Sequence, residues 1–133
     1  MQPEAAFDWV TARHNCSLAA VFERLKDQTA ADVKIREGLR ADLRVESGRT
    51  FVFQASLNSF RVFIQNGERN SIVASVSFRL ADGAVEVSRD EQPAFKGFAT
   101  LCDDGECRLK VEDQDLNLWQ FRKRALEDLF FVI

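Results

Sequence analysis

The stretch Phe78-Arg79-Leu80-Ala81-Asp82-Gly83-Ala84-Val85-Glu86-Val87-Ser88 decides the fold. Apolar and polar residues alternate on both sides of Asp82-Gly83. That dipeptide tolerates the positive φ needed at both central positions of a tight hairpin turn. A two-residue turn sets Leu80 against Val85 and Phe78 against Val87 on one face, and Arg79/Glu86 with Ser77/Ser88 on the other. One face is apolar and one wet, which describes an antiparallel sheet covered on one side.

The same alternation extends outward in both directions. Leu39, Ala41, Leu43 and Val45 alternate with charged residues, and a three-residue Ser47-Gly48-Arg49 loop pairs Val45/Phe51, Leu43/Phe53, Ala41/Ala55 and Leu39/Leu57. A turn at Asn58-Ser59 pairs Leu57/Phe60, Ala55/Val62 and Phe53/Ile64. A looser connection at Asn66-Gly67 pairs Ile64/Ile72, Val62/Ala74 and Phe60/Val76. On the C-terminal side, Asp104-Gly105 pairs Phe98/Val111, Thr100/Leu109 and Cys102/Cys107. Register follows the buried face, and every turn keeps the same face apolar. The expectation is a seven-stranded antiparallel meander over 39–113, a strongly bent sheet or partly closed barrel.

Helical spacing brackets the meander. Pro3 suits a first turn, and Ala5 to Val10 form a short helix ending near His14. Asn15 or Ser17 caps a second helix over 17–37, with Leu18, Val21, Phe22, Leu25, Thr29 and Val33 on one stripe and Gly38 as terminator. A last helix starts at Asp115 or Asn117, and its apolar surface runs from Leu118, Trp119 and Phe121 to Leu129 and Phe130. The chain therefore reads as one α+β domain, 1–133: two N-terminal helices (1–38), the meander (39–113) and a C-terminal helix packed on the sheet (114–133). On topology alone, this order suits a bent sheet gripping its final helix, as in START-like folds. It equally suits a barrel capped by a helix, as in pleckstrin-homology-like domains. No motif ties the chain to either.

Composition narrows the function classes. Eighteen Lys+Arg against 21 Asp+Glu give a formal net charge of −3, which disfavours a strongly basic nucleic-acid binder. Twelve Phe within 133 residues exclude disorder. No apolar run approaches the length of a membrane span. Met1-Gln2-Pro3-Glu4 lacks the basic start of a signal peptide, so cytoplasmic residence is the default expectation. Three cysteines without a C-x-x-C pair argue against a disulfide framework or a zinc site. Asp113-Gln114-Asp115 opens like a calcium loop, but Leu118 and Arg124 fill the positions that need Gly and Glu. No metal or cofactor site is expected.

The leading expectation is a non-enzymatic binding module. It would hold a small apolar ligand between sheet and helices, lined by Phe51, Phe53, Phe60, Phe78, Phe98 and Trp119. Alternatively, it would bind a protein partner or a second copy through an outer-face patch of Val52, Phe63, Val73 and Leu101, with Phe95 and Ala99 beside it. A second reading is a small enzyme with a pocket carboxylate and His14 or Cys16 at its mouth. A third is a weak phosphate or nucleic-acid binder using Arg122, Lys123 and Arg124, although neighbouring acids dilute that charge. Cys102 and Cys107 flank one turn symmetrically and form the candidate redox pair.

Overall fold

The computed structural model of the chain describes residues 6–39, 49–67 and 71–131. Two N-terminal helices, α1 (Trp9–Asn15) and α2 (Leu18–Gly38), precede the sheet, and α3 (Leu118–Phe131) follows it. Between them run β1 (Arg49–Ala55), β2 (Ser59–Asn66), β3 (Ser71–Ala81), β4 (Ala84–Arg89), β5 (Gln92–Leu101), β6 (Cys107–Val111) and β7 (Gln114–Leu116). The strands pair in chain order, all antiparallel. The sheet curls into a half-barrel, and the helices pack on it. This is the expected α+β architecture.

Local chemistry explains the helix boundaries. Asp8 caps α1 by accepting from Thr11 N at 3.0 Å, and Ser17 caps α2 by accepting from Ala20 N at 3.2 Å. At α3 the backbone N–H of Asn117 donates to Gln120 Oε1 at 2.8 Å, the return half of a capping box. The α2 stripe Val21, Phe22, Leu25, Thr29, Val33 and Arg36 is buried, while α1 buries nothing. Phe60 stacks on Phe78 at 4.5 Å between centroids. Phe22 of α2 touches Phe60, and Phe121 of α3 touches Phe78, so both long helices anchor on one pair of strand rings. Each fully buried aromatic ring contributes about 2–3 kcal/mol through removal from water, which makes this row the main fastening.

The central hairpin forms as expected: Leu80↔Val85, Phe78↔Val87, Arg79↔Glu86 and Ser77↔Ser88 pair, with Asp82 at φ 52° and Gly83 at φ 77°. The preceding hairpins are displaced by two residues. Ala55 faces Phe60 and Phe53 faces Val62, leaving Leu57 in the loop at 86% exposure. Phe60 faces Phe78 and Val62 faces Val76. An even displacement keeps side chains on their faces, so the core survives the slip; the exception is Ile72, expected inside against Ile64, which a bulge at Ile64/Gln65 sets opposite Gln65 and leaves exposed. The expected first strand, 39–46, falls on residues outside those described, apart from Leu39, which is the C-cap of α2. β7 supplies a seventh strand the alternation did not announce.

The β5–β6 hairpin is displaced by one residue, and here the face changes. Phe98 pairs with Lys110 and Leu101 with Cys107. Two irregularities cause it. A bulge at Val87/Ser88 inserts one extra residue in β5, and Gly105, at φ 87°, takes the left-handed place in the Cys102–Cys107 turn. Phe98, expected inside, is therefore 43% exposed. Phe95, Ala99 and Leu101, expected outside, pack against the core.

Candidate functional site

The structure leaves part of its apolar surface unburied between α2 and α3. The two helices run in the same sense: Arg122 pairs with Asp32 at 2.6 Å and with Gln28, and further along Arg36 Nε donates to the Phe130 carbonyl at 2.8 Å. Between them lies an open groove of about 340 Å³ with Leu126 and Phe130 at its base. Ile35, Leu39, Trp119 and Phe131 line it while remaining 63, 39, 55 and 54% exposed. Its rim carries both signs of charge, Asp32 with Arg122 and Lys123 with Glu127 at 3.1 Å. Arg36 is buried, and its guanidinium sits 4.6 Å from the Phe51 ring centroid.

Trp119 and Arg122 also form a wall of a second cleft, of about 780 Å³, nearer the start of both helices. Arg24, Gln28, Glu106, Cys107, Arg108, Asn117 and Leu118 line the rest. Arg108 donates to both carboxylate oxygens of Asp104, at 2.9 and 2.8 Å, and to Asn117 at 2.8 Å. The Asp104 carboxylate, followed by the Cys102 sulfur, raises the guanidinium above its ordinary value. In return, hydrogen bonding from Arg108 and then from Glu106 N–H holds Asp104 below the usual carboxylate range.

The cysteines rearrange the expected redox pair. Cys107 is bonded to Cys16, across 91 residues and with Cα atoms 5.5 Å apart, and Cys102 is the free thiol. Leu101 takes the cross-strand place that Cys102 would need, which carries Cys102 to the opposite face. The pairing with Cys16 depends on the start of α2 lying beside β6, and no spacing within the chain reveals that.

Other expected residues are dispersed. Phe51, Phe60 and Phe78 are buried and Phe53 packs on the core, but their rings contact one another or the helices. Trp119, expected inside, faces the groove and the cleft. Phe63 is 6% exposed, with the Arg61 guanidinium 4.6 Å from its ring centroid, and faces Val52 and Ser75 rather than Val73. The outer patch is thus closed at its centre, although Val73 is exposed. Arg122, Lys123 and Arg124 fan around α3 to Asp32, Glu127 and Gln114 respectively; the first two reach the groove rim, each beside an acid, and Arg124 does not. His14 is exposed in the last turn of α1, and Cys16, two residues on, is held in the disulfide.

Ile35 lies off the buried α2 stripe, and the alternation from Leu39 onward reads as a strand, so neither residue by itself signals a helical groove. A second stripe at 32, 35 and 39 was present at helical spacing. Among the described residues, no helix is long and apolar enough to cross a membrane, and no cluster of three metal-ligating side chains occurs. No family model matches the sequence, and no curated protein and no solved structure matches it.

Proposed function

We propose that this chain is a non-enzymatic binding module that receives an amphipathic helical segment of a protein partner in the groove between α2 and α3. One observation carries the reading: Ile35, Leu39, Trp119 and Phe131 stand exposed together over a base of Leu126 and Phe130. A fold that buries its aromatic row this thoroughly has no packing need for four large apolar groups on one surface. Two helices side by side offer a groove that a third completes, with anchors at i, i+3, i+4 and i+7. The balanced rim favours a partner helix bearing both signs of charge. A small apolar ligand between sheet and helices draws less support, because stacked and edge-on rings occupy that space. Cytoplasmic residence is compatible with the Cys16–Cys107 bond only if that bond is readily reduced and reformed.

The test is a titration of Trp9→Phe protein with a charge-balanced amphipathic model helix. Trp119 emission and backbone amide shifts are the readouts. The expected result is a blue shift, with amide changes confined to 32–39 and 119–131, both abolished by Ile35→Glu. Changes spread over the sheet, or binding unaltered by Ile35→Glu, would overturn the reading. Self-association that competes with the peptide would make a second copy of the chain the occupant instead.

A further inference from the structure

We propose that the Cys16–Cys107 disulfide is a modification site, attacked at Cys107 by an anionic low-molecular-mass thiol that enters through the Arg24–Arg108–Arg122 cleft. The two sulfurs differ in access. Cys16 is 1% exposed at the junction of α1 and α2, whereas Cys107 is half-buried and lines the cleft. A thiolate must reach the sulfur it attacks, so the open side of the bond selects Cys107 and makes Cys16 the leaving group. A cleft of about 780 Å³ is within the range that holds molecules of tripeptide size.

Charge then selects the thiol. Three guanidinium side chains line this cleft against one carboxylate, Glu106. Two of the three are ion-paired, Arg122 with Asp32 and Arg108 with Asp104, and neither acid lines the cleft. Arg24 donates to the neutral carbonyl of Asn15 at 3.0 Å and has no acidic partner among the described residues. Arg24 is therefore the one guanidinium of the cleft that no described acid offsets through an ion pair, although the whole chain carries a formal −3. That contrast gives the proposal its discriminating power, since the net charge alone would favour a cationic thiol.

The step balances without any other oxidant or reductant. The incoming thiolate sulfur bonds to Cys107 Sγ as the Cys16–Cys107 bond breaks, and the electron pair departs on Cys16 Sγ, which takes up a proton. A second molecule of the same thiol attacks the mixed disulfide. It leaves as the oxidised thiol dimer and frees the Cys107 thiolate.

The experiment uses full-length protein carrying Cys102→Ser, which removes the competing thiol. Its disulfide is reduced with 2-mercaptoethanesulfonate, 2-mercaptoethanol or cysteamine, each rate normalised to that thiol's rate on a small uncharged disulfide. At about 0.01 M salt, where screening extends about 30 Å, the sulfonate is expected to react about tenfold faster than cysteamine. At about 1 M salt the screening length falls to about 3 Å and the advantage is expected to shrink to about twofold. Arg24→Gln should cut the sulfonate advantage several-fold while leaving the neutral thiol's rate unchanged. Mass spectrometry of the quenched intermediate should place the adduct on Cys107. Cysteamine reacting as fast as the sulfonate, a preference indifferent to salt and to Arg24→Gln, or an adduct on Cys16 would each overturn the proposal. So would free thiols at both positions in aerobically prepared protein.

Discussion

A β-carbon on residue 97 would lie 2.6 Å from Phe121 Cε1: the edge of the α3 ring occupies the space that Gly97 leaves open in β5. Leu109 Cβ would be 3.2 Å away on the adjacent strand. Gly97→Ala should therefore force ring and strand apart and cost about 1–3 kcal/mol. Urea unfolding would measure it, and Phe121→Leu in the same chain should recover part of the loss, giving a favourable coupling energy.

The Cys16–Cys107 bond closes a loop of 91 residues, so its removal enlarges the unfolded ensemble considerably. Cys16→Ser combined with Cys107→Ser should lower stability by about 2–4 kcal/mol. Adding reductant to the unsubstituted protein should shift its urea midpoint similarly, and it should leave the double variant unchanged.

Arg36 is nearly sealed from solvent, with its Nε on the Phe130 carbonyl and its guanidinium 4.6 and 5.5 Å from the ring centroids of Phe51 and Phe131. Arg36→Ala removes both the donor and the volume and should cost about 3–5 kcal/mol. Arg36→Met keeps the apolar stem against Phe51 and should cost less. Paired thermal melts of the two variants would rank them, and equal losses would show that volume contributes little there.

Asp104 should confer an acid-side pH dependence. Its folded pKa is lowered, chiefly by the Arg108 hydrogen bond, so its contribution is present above the unfolded carboxylate value. It is lost as pH falls through the lower folded value. The stability gap between the protein and Asp104→Asn should be level from about pH 5 to 8 and should close below about pH 4. Melting curves across that range would check it, and a gap that widened towards acid would contradict the assignment.

Alternation made the sheet legible, and the parity of each error explains what was lost. Asp82-Gly83 specifies its own turn, so Leu80 and Val85 met as expected. The loop from Ser56 to Asn58 carries no such specification, and the pairing slid by two residues without moving Phe53 or Phe60 to the other face. Between Arg89 and Gln92 the turn is made by Asp90 and Glu91, both at positive φ, a pair that announces no turn of that type. The bulge beyond it reversed Phe98 and Leu101. The groove and the disulfide were harder to see, because both depend on where α2 lies against distant elements. Ile35 beside Trp119, or Cys16 beside Cys107, is a relation between surfaces that one-dimensional periodicity does not encode.

The strand order has a consequence for how the chain assembles. Each strand pairs only with its neighbours in sequence, so the sheet can grow hairpin by hairpin, each step closing a short loop at small entropic cost. The covalent tie follows the opposite schedule. Cys16 is synthesised long before Cys107, and Cys102 emerges five residues ahead of the correct partner. A chain oxidised before β6 has joined the sheet therefore has almost no entropic preference between the two sulfurs, and it is the β5–β6 register, with Leu101 opposite Cys107, that separates them.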